Sequence, residues 1–444
     1  MIVLRYIFSA GLLALTIAAS HPSAAQGTTK ASAPDQSVEK SELRFVAIVS
    51  RHGVRSPTGR AEQLNQYSAQ PWPDWKLPAG YLTEHGFQLM TLMGAWDRQM
   101  LLSQGLFHGS GCEDARHIRI LADSDQRTRE TGRALAKGLA PDCAIEVQAL
   151  AEGTPDPLFH SVEAGVGSPD RGLAVAALNG RIGGSAEALV QAYRPQLTQL
   201  QQVLDSCASG ASCASEKQIR LMEIPAVVSP GKSDHIAELR TPLSVASTIT
   251  ENFLLEYCNG MDAQQVAWGK VNADSLRALL QLHVAQEDYA GRTEAIARPQ
   301  ASNLLAHLLS SMRQAADGKP MRGALSRPDD RLLVLAGHDT NLVNIAGALH
   351  LNWVIDGRKD DTPPGGALVF ELWKMPGKDS WQVRTWYVAQ TLEQMRMATP
   401  LTANEPPQRV PVFLPGCGRA DGSCSLDGFR RAIEASIDPA YVKE

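Results

Sequence analysis

Strand-like and helix-like segments alternate at both ends of this chain, whereas its middle has a mostly helical pattern. Apolar runs of strand length and apolar residues at helical spacing mark the alternating ends. The middle, residues 150–325, is rich in Ala, Leu and Gln and poor in β-branched runs. This order predicts an α/β domain that carries a large helical insertion. The predicted strands are 45–50, 118–122, 331–336, 367–374 and 381–389, and the predicted helices outside the middle are 83–102, 124–139 and 341–349.

The first residues have the pattern of an export signal. Arg5 precedes an apolar run at 7–19 that is too short to span a bilayer, and small residues at 23–25 offer a cleavage site. We therefore expect a periplasmic or secreted protein with no membrane association after processing. The expected organisation is a signal peptide at 1–25, a flexible leader at 26–42, the α/β domain at 43–150 and 326–444, and the helical insertion at 151–325.

The charge balance limits the kind of ligand that the chain can attract. It has 42 Lys and Arg against 47 Asp and Glu, which gives a formal net charge of −5 and argues against a nucleic-acid partner. An anionic substrate must therefore be held by a local group of cations.

Seven cysteines fit an oxidising compartment, and an odd number leaves at least one without a partner. Two pairs, Cys207 with Cys213 and Cys417 with Cys424, lie in Ser- and Gly-rich stretches where a short loop could be closed. Zinc is the alternative interpretation, but the chain has no CxxC pair and no histidine close to either pair. Disulfides are the favoured prediction.

Chemically active side chains follow three of the predicted strands. The sequence RHGVRSP stands at 51–57, DSDQRTR at 123–129 and GHDT at 337–340. Ligands of open α/β sheets bind beyond the carboxyl ends of the strands, so these loops can converge. Together they offer guanidinium groups that match phosphate oxygens, imidazoles that can attack phosphorus, and a carboxyl group that can protonate a leaving oxygen.

The motifs at 51–57 and 337–340 resemble those of the histidine acid phosphatases, the two-histidine branch of the phosphoglycerate-mutase-like superfamily. The resemblance extends from about Glu42 to Phe429 and is greatest to bacterial periplasmic phytases that are also acid phosphatases. It implies a mainly parallel central sheet flanked by helices, with an inserted, mostly α-helical domain.

The resemblance also implies a role for each matching residue. His52 would be the nucleophile, and Asp339, protonated before the attack, would be the proton donor. The other implied substrate-binding residues are Arg51, Arg55, Arg127 and His338 at the transferred phosphate, Thr58 and Arg60 at neighbouring phosphates, and Glu251 and Thr340.

Two positions depart from the family pattern. Relatives usually carry a lysine soon after the heptapeptide, whereas here Gly59 is followed by Arg60, with one residue inserted. Thr248 stands where a methionine is expected before Glu251. The resemblance therefore defines the reaction type more firmly than the substrate.

The resemblance further implies a disulfide pattern. The implied bonds are Cys112–Cys143, Cys207–Cys213 and Cys417–Cys424. The relatives' fourth bond is absent because Gly167 occupies one of its positions and the C-terminal segment lacks the other cysteine. Cys258 is expected to remain a buried thiol.

The motifs and the resemblance together imply a metal-independent acid phosphomonoesterase that needs no cofactor and hydrolyses inositol hexakisphosphate through a phosphohistidine. Two alternatives are a sugar-phosphate phosphatase of the glucose-1-phosphate type and a non-catalytic phosphate-binding protein on the same fold. The presence of both His52 and Asp339 argues against the second. The expected partners are small phosphate esters, and the expected state is a monomer.

Overall fold

The computed structural model describes residues 40–109, 112–207, 213, 218–377 and 380–443. The predicted signal peptide and most of the predicted leader lie outside these residues. The strands are β1 Glu42–Arg51, β2 Ile118–Ala122, β3 Val147–Gln148, β4 Val227–Pro230, β5 Ala237–Arg240, β6 Leu332–Gly337, β7 Val354–Ile355, β8 Arg358–Lys359, β9 Ala367–Lys374, β10 Trp381–Ala389, β11 Gln408–Pro411 and β12 Ser423–Ser425.

Helices fill most of the intervals between the strands. They are α1 Ala61–Asn65, α2 Glu84–Ser103, α3 Cys112–Ala115, α4 Gln126–Leu139, α5 Arg171–Arg181, α6 Ala186–Ala192, α7 Arg194–Leu204, α8 Pro242–Cys258, α9 Ala273–Gly291, α10 Glu294–Asp317, α11 Asp339–Leu349, α12 Leu392–Met397 and α13 Leu426–Ser436. Short 3₁₀ helices occur at Leu221–Glu223, Val266–Gly269 and Pro439–Tyr441.

The main sheet has the strand order β11-β10-β9-β1-β6-β2-β3, and β12 also pairs with β10. Strands β1, β6, β2 and β3 pair in parallel, whereas β9 joins β1 antiparallel and begins an antiparallel arm. The predicted α/β fold with a mainly parallel central sheet is therefore confirmed. The first polar loops after β1, β6 and β2 leave from the same edge of this sheet.

Both faces of the central strands are buried, which explains their nearly continuous apolar sequences. In β1, Phe45, Ala47 and Val49 face the layer formed by α10, α11 and α13. The alternate residues Val46 and Ile48 face α2 and α4. The period of two in a strand thus divides one apolar run between two cores.

The residues between α4 and α10 form two further apolar clusters. One joins α7, α8 and α9 around Phe253, and the other joins α5 and α6 to the β4–β5 hairpin, which the helical pattern did not predict. Helix α10 lies within the segment 151–325, yet Leu305 and Leu308 pack in the cluster that covers the central sheet. We therefore propose that the insertion ends before α10.

Three disulfide bonds join the cysteines in the pairing that the resemblance implies: Cys112–Cys143, Cys207–Cys213 and Cys417–Cys424. Cys258, the last residue of α8, is a free thiol and is fully buried. Burial raises the pKa of this thiol, so it is a poor nucleophile. Among the helices of the described residues, none has the length and apolar content needed to cross a membrane.

Burial also raises the pKa of Glu256 in α8, to about 8, and the N–H of Ala267 that donates to its Oε2 at 2.9 Å offsets this only partly. A raised folded-state pKa contributes stability below the unfolded pKa, and this contribution is lost as the pH rises towards 8. Glu256→Gln keeps the acceptor without the ionisation. We predict that the free energy of unfolding of Glu256→Gln, relative to that of the wild type, rises by about 1.4 kcal/mol for each pH unit between pH 5 and 8.

Denaturant titrations of both proteins at several pH values measure this difference. A difference that stays constant with pH would mean that Glu256 is already ionised in the folded protein across this interval, so that its folded-state pKa is not raised.

Candidate active site

Three neighbouring strands bring the predicted loops together at one edge of the sheet. Arg51 at the end of β1 is in register with Gly337 at the end of β6, and Ala122 at the end of β2 is in register with Ala336. The next residues along the chain carry the polar groups. His52, His338 and Asp123 therefore lie side by side because three buried strands end at the same level.

The side chain of His52 is held in one tautomer. Its Nδ1 lies 2.8 Å from the carbonyl oxygen of Gly53, which can only accept, so Nδ1 carries the proton and Nε2 has a free lone pair. Burial, followed by the charges of Arg127, Arg55 and Arg51, lowers the pKa of His52 well below its ordinary value. His52 thus remains an unprotonated nucleophile in acid.

The residue after His52 must be glycine because the chain passes close to helix α2. A Cβ atom on Gly53 would lie 2.7 Å from Cγ of Met90 and 3.1 Å from the carbonyl oxygen of Gly86. The amide of Gly53 donates to Oγ1 of Thr131 at 3.0 Å. These contacts fix the carbonyl group that orients the His52 ring.

Arg51 has no exposed surface, and its charge is balanced by two carboxylates. Its Nη2 donates to Glu251 and lies 3.0 Å from Oδ2 of Asp339, and its Nη1 donates to the carbonyl of Thr362 at 2.5 Å. Burial alone would lower the pKa of Arg51, but Asp339 and Glu251 outweigh it and raise the pKa. Arg51 is a fixed positive charge at the base of the site.

Two further guanidinium groups face the same space. Arg55 is buried, its Nη2 lies 3.7 Å from Oε1 of Glu251, and burial lowers its pKa to about 10, so it remains charged in acid. Arg127 lies in the first turn of α4 and pairs with Asp125 at 2.6 Å. Arg51, Arg55 and Arg127 all act electrostatically on His52.

Asp339 opens α11, where the amide of Thr340 donates to its Oδ1 at 2.8 Å. Burial alone would raise the pKa of Asp339, but Arg51, Arg55, His283 and His338 lower it below its ordinary value. This direction runs against the expectation that Asp339 is protonated before the attack, which stays a prediction. It fits a carboxyl group that balances the charge of Arg51.

His338 reaches Asp123 with Nε2, 2.8 Å from Oδ2, and its Nδ1 lies 3.4 Å from Nη2 of Arg127. The ring of His338 is 5.7 Å from that of His52. The same Asp123 oxygen lies 3.4 Å from Nε2 of His160, whose Nδ1 contacts Asp234 at 2.7 Å. The sequence analysis placed Asp123 in one of the three loops but gave it no role. It missed His160 and Asp234 because no motif surrounds them.

Glu251 reaches the site from α8. Besides Arg51, it faces His283 of α9, with 3.8 Å between Nε2 and the Glu251 Oε2 atom. That Oε2 atom has no hydrogen-bond partner among the described residues. In the same helix α9, burial raises the pKa of Glu287 to about 7. His283 and Glu287 were not predicted, since α9 shows only an apolar helical pattern.

The three remaining predicted residues lie around the charged centre rather than in it. Thr58 is exposed, and its Cγ2 and Nη1 of Arg127 flank the same point beside Gly80. Arg60 is exposed at the start of α1 and lines a cavity of about 340 Å³ with Trp72 and Asp74. Thr340 lines a different cavity of about 480 Å³. Thr58 therefore lies near Arg127, whereas Arg60 and Thr340 line two separate cavities.

Two groups of described residues have ligand atoms close enough together to hold a metal ion: Asp123, His160 and His338, and His160, Glu163 and Asp234. In both groups the imidazole nitrogens already contact carboxylate oxygens at hydrogen-bond or ion-pair distance. We assign none of these residues as a metal ligand.

Comparisons with known proteins agree with this geometry. The family model described as the histidine phosphatase superfamily (branch 2) matches residues 42–388. The phytase AppA of Escherichia coli is 38% identical over 419 residues, covering 93% of this chain and 96% of the relative. A glucose-1-phosphatase of Salmonella typhimurium is 29% identical over 400 residues, with coverages of 89% and 92%.

A solved structure gives the same result. The phytase from Citrobacter braakii superimposes with a TM-score of 0.82 at 37% identity, covering 91% of this chain and 100% of the other. The family model spans most of this chain, and the sheet edge carries the histidines, arginines and aspartate that the motifs predict. The chain belongs to the histidine phosphatase superfamily, branch 2.

Proposed function

We propose that this phosphatase hydrolyses phosphate monoesters in acid through a phosphohistidine at His52, and that inositol phosphates are its preferred substrates. The observation that carries the proposal is the grouping of three guanidiniums around an imidazole whose pKa is lowered. The carboxyl group of Asp339 contacts one of these guanidiniums, that of Arg51. Such a site can hold a phosphoryl group, attack it and protonate what leaves.

In the first half-reaction, the lone pair on Nε2 of His52 attacks phosphorus while Arg51, Arg55 and Arg127 neutralise the equatorial oxygens. The bond from phosphorus to the ester oxygen breaks, and that oxygen takes a proton from Asp339. In the second, water attacks the phosphohistidine and gives a proton to Asp339. The bond from phosphorus to Nε2 breaks, the electron pair returns to His52, and phosphate is released.

The proton on Asp339 has to arrive with the substrate. In the free site Asp339 is ionised because it neutralises Arg51. A bound phosphate takes over the guanidinium groups and adds negative charge beside Asp339, which raises the pKa of Asp339. A monoester with its second pKa near 6 carries a proton in acid that can pass to Asp339. This accounts for an acidic optimum without a protonated aspartic acid in the free enzyme.

The substrate preference rests on the comparisons and on one outer cation. The phytase relative is more similar to this chain than the glucose-1-phosphatase, and a phytase must hold several phosphates around one ring. Thr58 is exposed and lies near Arg127, and Arg60 is exposed two residues later, which supports a role for both at phosphates next to the transferred one. The cavity that Thr340 lines has three acids, Glu163, Asp234 and Glu287, beside two histidines, and neither lysine nor arginine is among its lining residues. A sugar-phosphate phosphatase is the alternative.

We also propose that the protein is exported. The apolar N-terminal pattern and three disulfide bonds support export to an oxidising space such as the periplasm or the medium.

The first prediction concerns the nucleophile. His52→Ala should lower turnover of an aryl phosphate at least 10³-fold, on the order of what loss of covalent catalysis costs, while the thermal melt stays close to that of the wild type. Brief incubation with ³²P-labelled substrate and an alkaline quench should label the wild type and leave the variant unlabelled. His235→Ala, an exposed histidine, is the control for loss of an imidazole. A labelled His52→Ala protein would refute the mechanism.

The second prediction concerns the proton. Asp339→Asn keeps the shape of the side chain but cannot donate a proton. Its kcat should fall by roughly 10²-fold or more for alkyl phosphates and far less for p-nitrophenyl phosphate, whose leaving group needs no protonation. The ratio of the two kcat values is the measurement. An equal loss for both esters would show that Asp339 only balances the charge of Arg51.

The third prediction concerns the substrate. Arg60→Ala should raise KM for inositol hexakisphosphate by about ten- to a hundredfold, the range expected for one lost charge-assisted contact, and leave p-nitrophenyl phosphate nearly unchanged. Arg44→Ala, at the opposite end of β1, is the matched control because it removes an exposed arginine away from the site. Equal effects on both substrates, or a wide preference of the wild type for glucose 1-phosphate, would favour the sugar-phosphatase alternative.

A further inference from the structure

One carboxylate oxygen at the catalytic edge serves two imidazoles. Oδ2 of Asp123 lies 2.8 Å from Nε2 of His338 and 3.4 Å from Nε2 of His160. Asp123 is buried, and its other oxygen has no hydrogen-bond partner among the described residues. His338 and His160 therefore share this oxygen as an acceptor, and their ring centroids are 5.0 Å apart.

His160 lies between two carboxylates. Its Nδ1 is 2.7 Å from Oδ2 of Asp234, and its Nε2 faces Asp123. Both ring nitrogens must carry protons to serve both acceptors, which makes the ring an imidazolium. Burial would lower the pKa of His160, but Asp123 and Asp234 outweigh it and raise the pKa to about 10. His160 is thus a constant positive charge in acid and at neutral pH.

Asp234 is itself held in place. It lies in the turn between β4 and β5, and its Oδ1 accepts from the backbone N–H of Glu163 at 2.7 Å. The ion pair therefore joins this hairpin to the loop that carries His160. The position of the His160 charge is fixed from one side by Asp234 and from the other by Asp123.

We propose that His160 is a positioning residue that acts through Asp123 to set the pH range in which His338 can bind a phosphate-type anion. The inference rests on the proposed function only in taking the bound anion to be the phosphoryl group of a substrate. His160 does not touch that anion. It competes with His338 for the carboxylate that would otherwise stabilise a charged His338.

The contacts of His338 explain why competition for Asp123 affects anion binding. In the free site Nε2–H donates to Asp123, and Nδ1 lies 3.4 Å from the guanidinium of Arg127, where it can accept. To donate to an anion, Nδ1 must gain a proton, so His338 becomes an imidazolium when the anion binds. Burial lowers the pKa of His338, Asp123 opposes that effect, and the charges of Arg127 and His160 add to it.

Other charged groups face the two imidazoles, and their contributions must be held constant in a test. They are His52 after β1, Asp125 and Arg127 at the start of α4, Asp156 and Glu163 in the loop of His160, Asp234 in the hairpin, Glu287 across the cavity on α9, and Asp339 on α11.

The test uses sulfate, which stays a dianion throughout the range and cannot be hydrolysed. Its dissociation constant is measured by calorimetry from pH 4 to 8 in an Asp339→Asn background, because Asp339 would otherwise titrate on binding. Sulfate affinity should fall with rising pH as His338 loses its proton, and His338→Gln should remove that fall. Adding His160→Asn should raise the pH midpoint of the fall by about 0.5–1 pH unit, because Asp123 then accepts only from His338.

Three further variants make the result specific. His160→Gln is a second neutral replacement in case His160→Asn does not fold, and it should move the midpoint in the same direction. His160→Lys keeps a positive charge beside Asp123 and should keep the midpoint of the parent. His235→Asn, an exposed neighbour of Asp234, should also leave it unchanged.

Two outcomes would overturn the inference. A midpoint that stays in place while affinity drops equally at every pH would make His160 a structural residue only. A midpoint that moves on addition of a chelator would mean that the cluster holds a metal ion. Neither outcome bears on turnover: a wild-type protein without phosphatase activity would refute the proposed function and leave this sulfate measurement unaffected.

Discussion

A guanidinium group with no exposed surface, that of Arg51, lies at the end of the central strand β1. A buried charge of this kind is tolerated only if opposite charges and hydrogen bonds compensate it. Asp339 arrives from the first turn of α11, Glu251 from α8, and the carbonyl of Thr362 from the segment before β9. The free site is therefore already neutralised, and binding a phosphate exchanges one set of anions for another.

This exchange explains how one site can use a base and an acid at the same low pH. Burial among arginines lowers the pKa of His52, and Arg51 lowers the pKa of Asp339. In the proposed mechanism a bound anion displaces Asp339 from Arg51, so substrate binding generates the acid. Glu251 stays as the second partner of Arg51 and Arg55, and it keeps these groups from repelling each other when the site is empty.

The parts of this account that the sequence predicted are local. Strands β2, β9 and β10 have the predicted bounds. The first two are largely apolar runs, β10 mixes apolar and polar residues, and polar residues or turn residues lie at their ends. Apart from Glu251 on α8, the predicted residues of the charged centre lie at or soon after the ends of strands, so a parallel sheet brings them together. The family resemblance supplied their roles and the three disulfide pairs, which spacing alone left open.

The parts that could not be predicted depend on contacts between distant segments. Helix α10 has the same composition as the insertion, and only its packing on the sheet separates it. His160 and Asp234 are 74 positions apart and meet because the β4–β5 turn reaches the catalytic edge. The contact of Asp339 with Arg51, which lowers the pKa of Asp339, could not be predicted either, because a sequence shows that an acid is present but not that an arginine lies beside it.

The central claim is that anion binding releases Asp339 from Arg51 and protonates it. The most direct measurement is the pH titration of the Asp339 carboxyl carbon by ¹³C NMR, assigned by its loss in Asp339→Asn, with and without saturating sulfate. The account predicts a carboxylate throughout pH 4 to 7 in the free protein and a midpoint at least about one pH unit higher with sulfate bound. A carboxyl group that is already protonated at pH 5 in the free protein, or a midpoint that sulfate does not move, would contradict it.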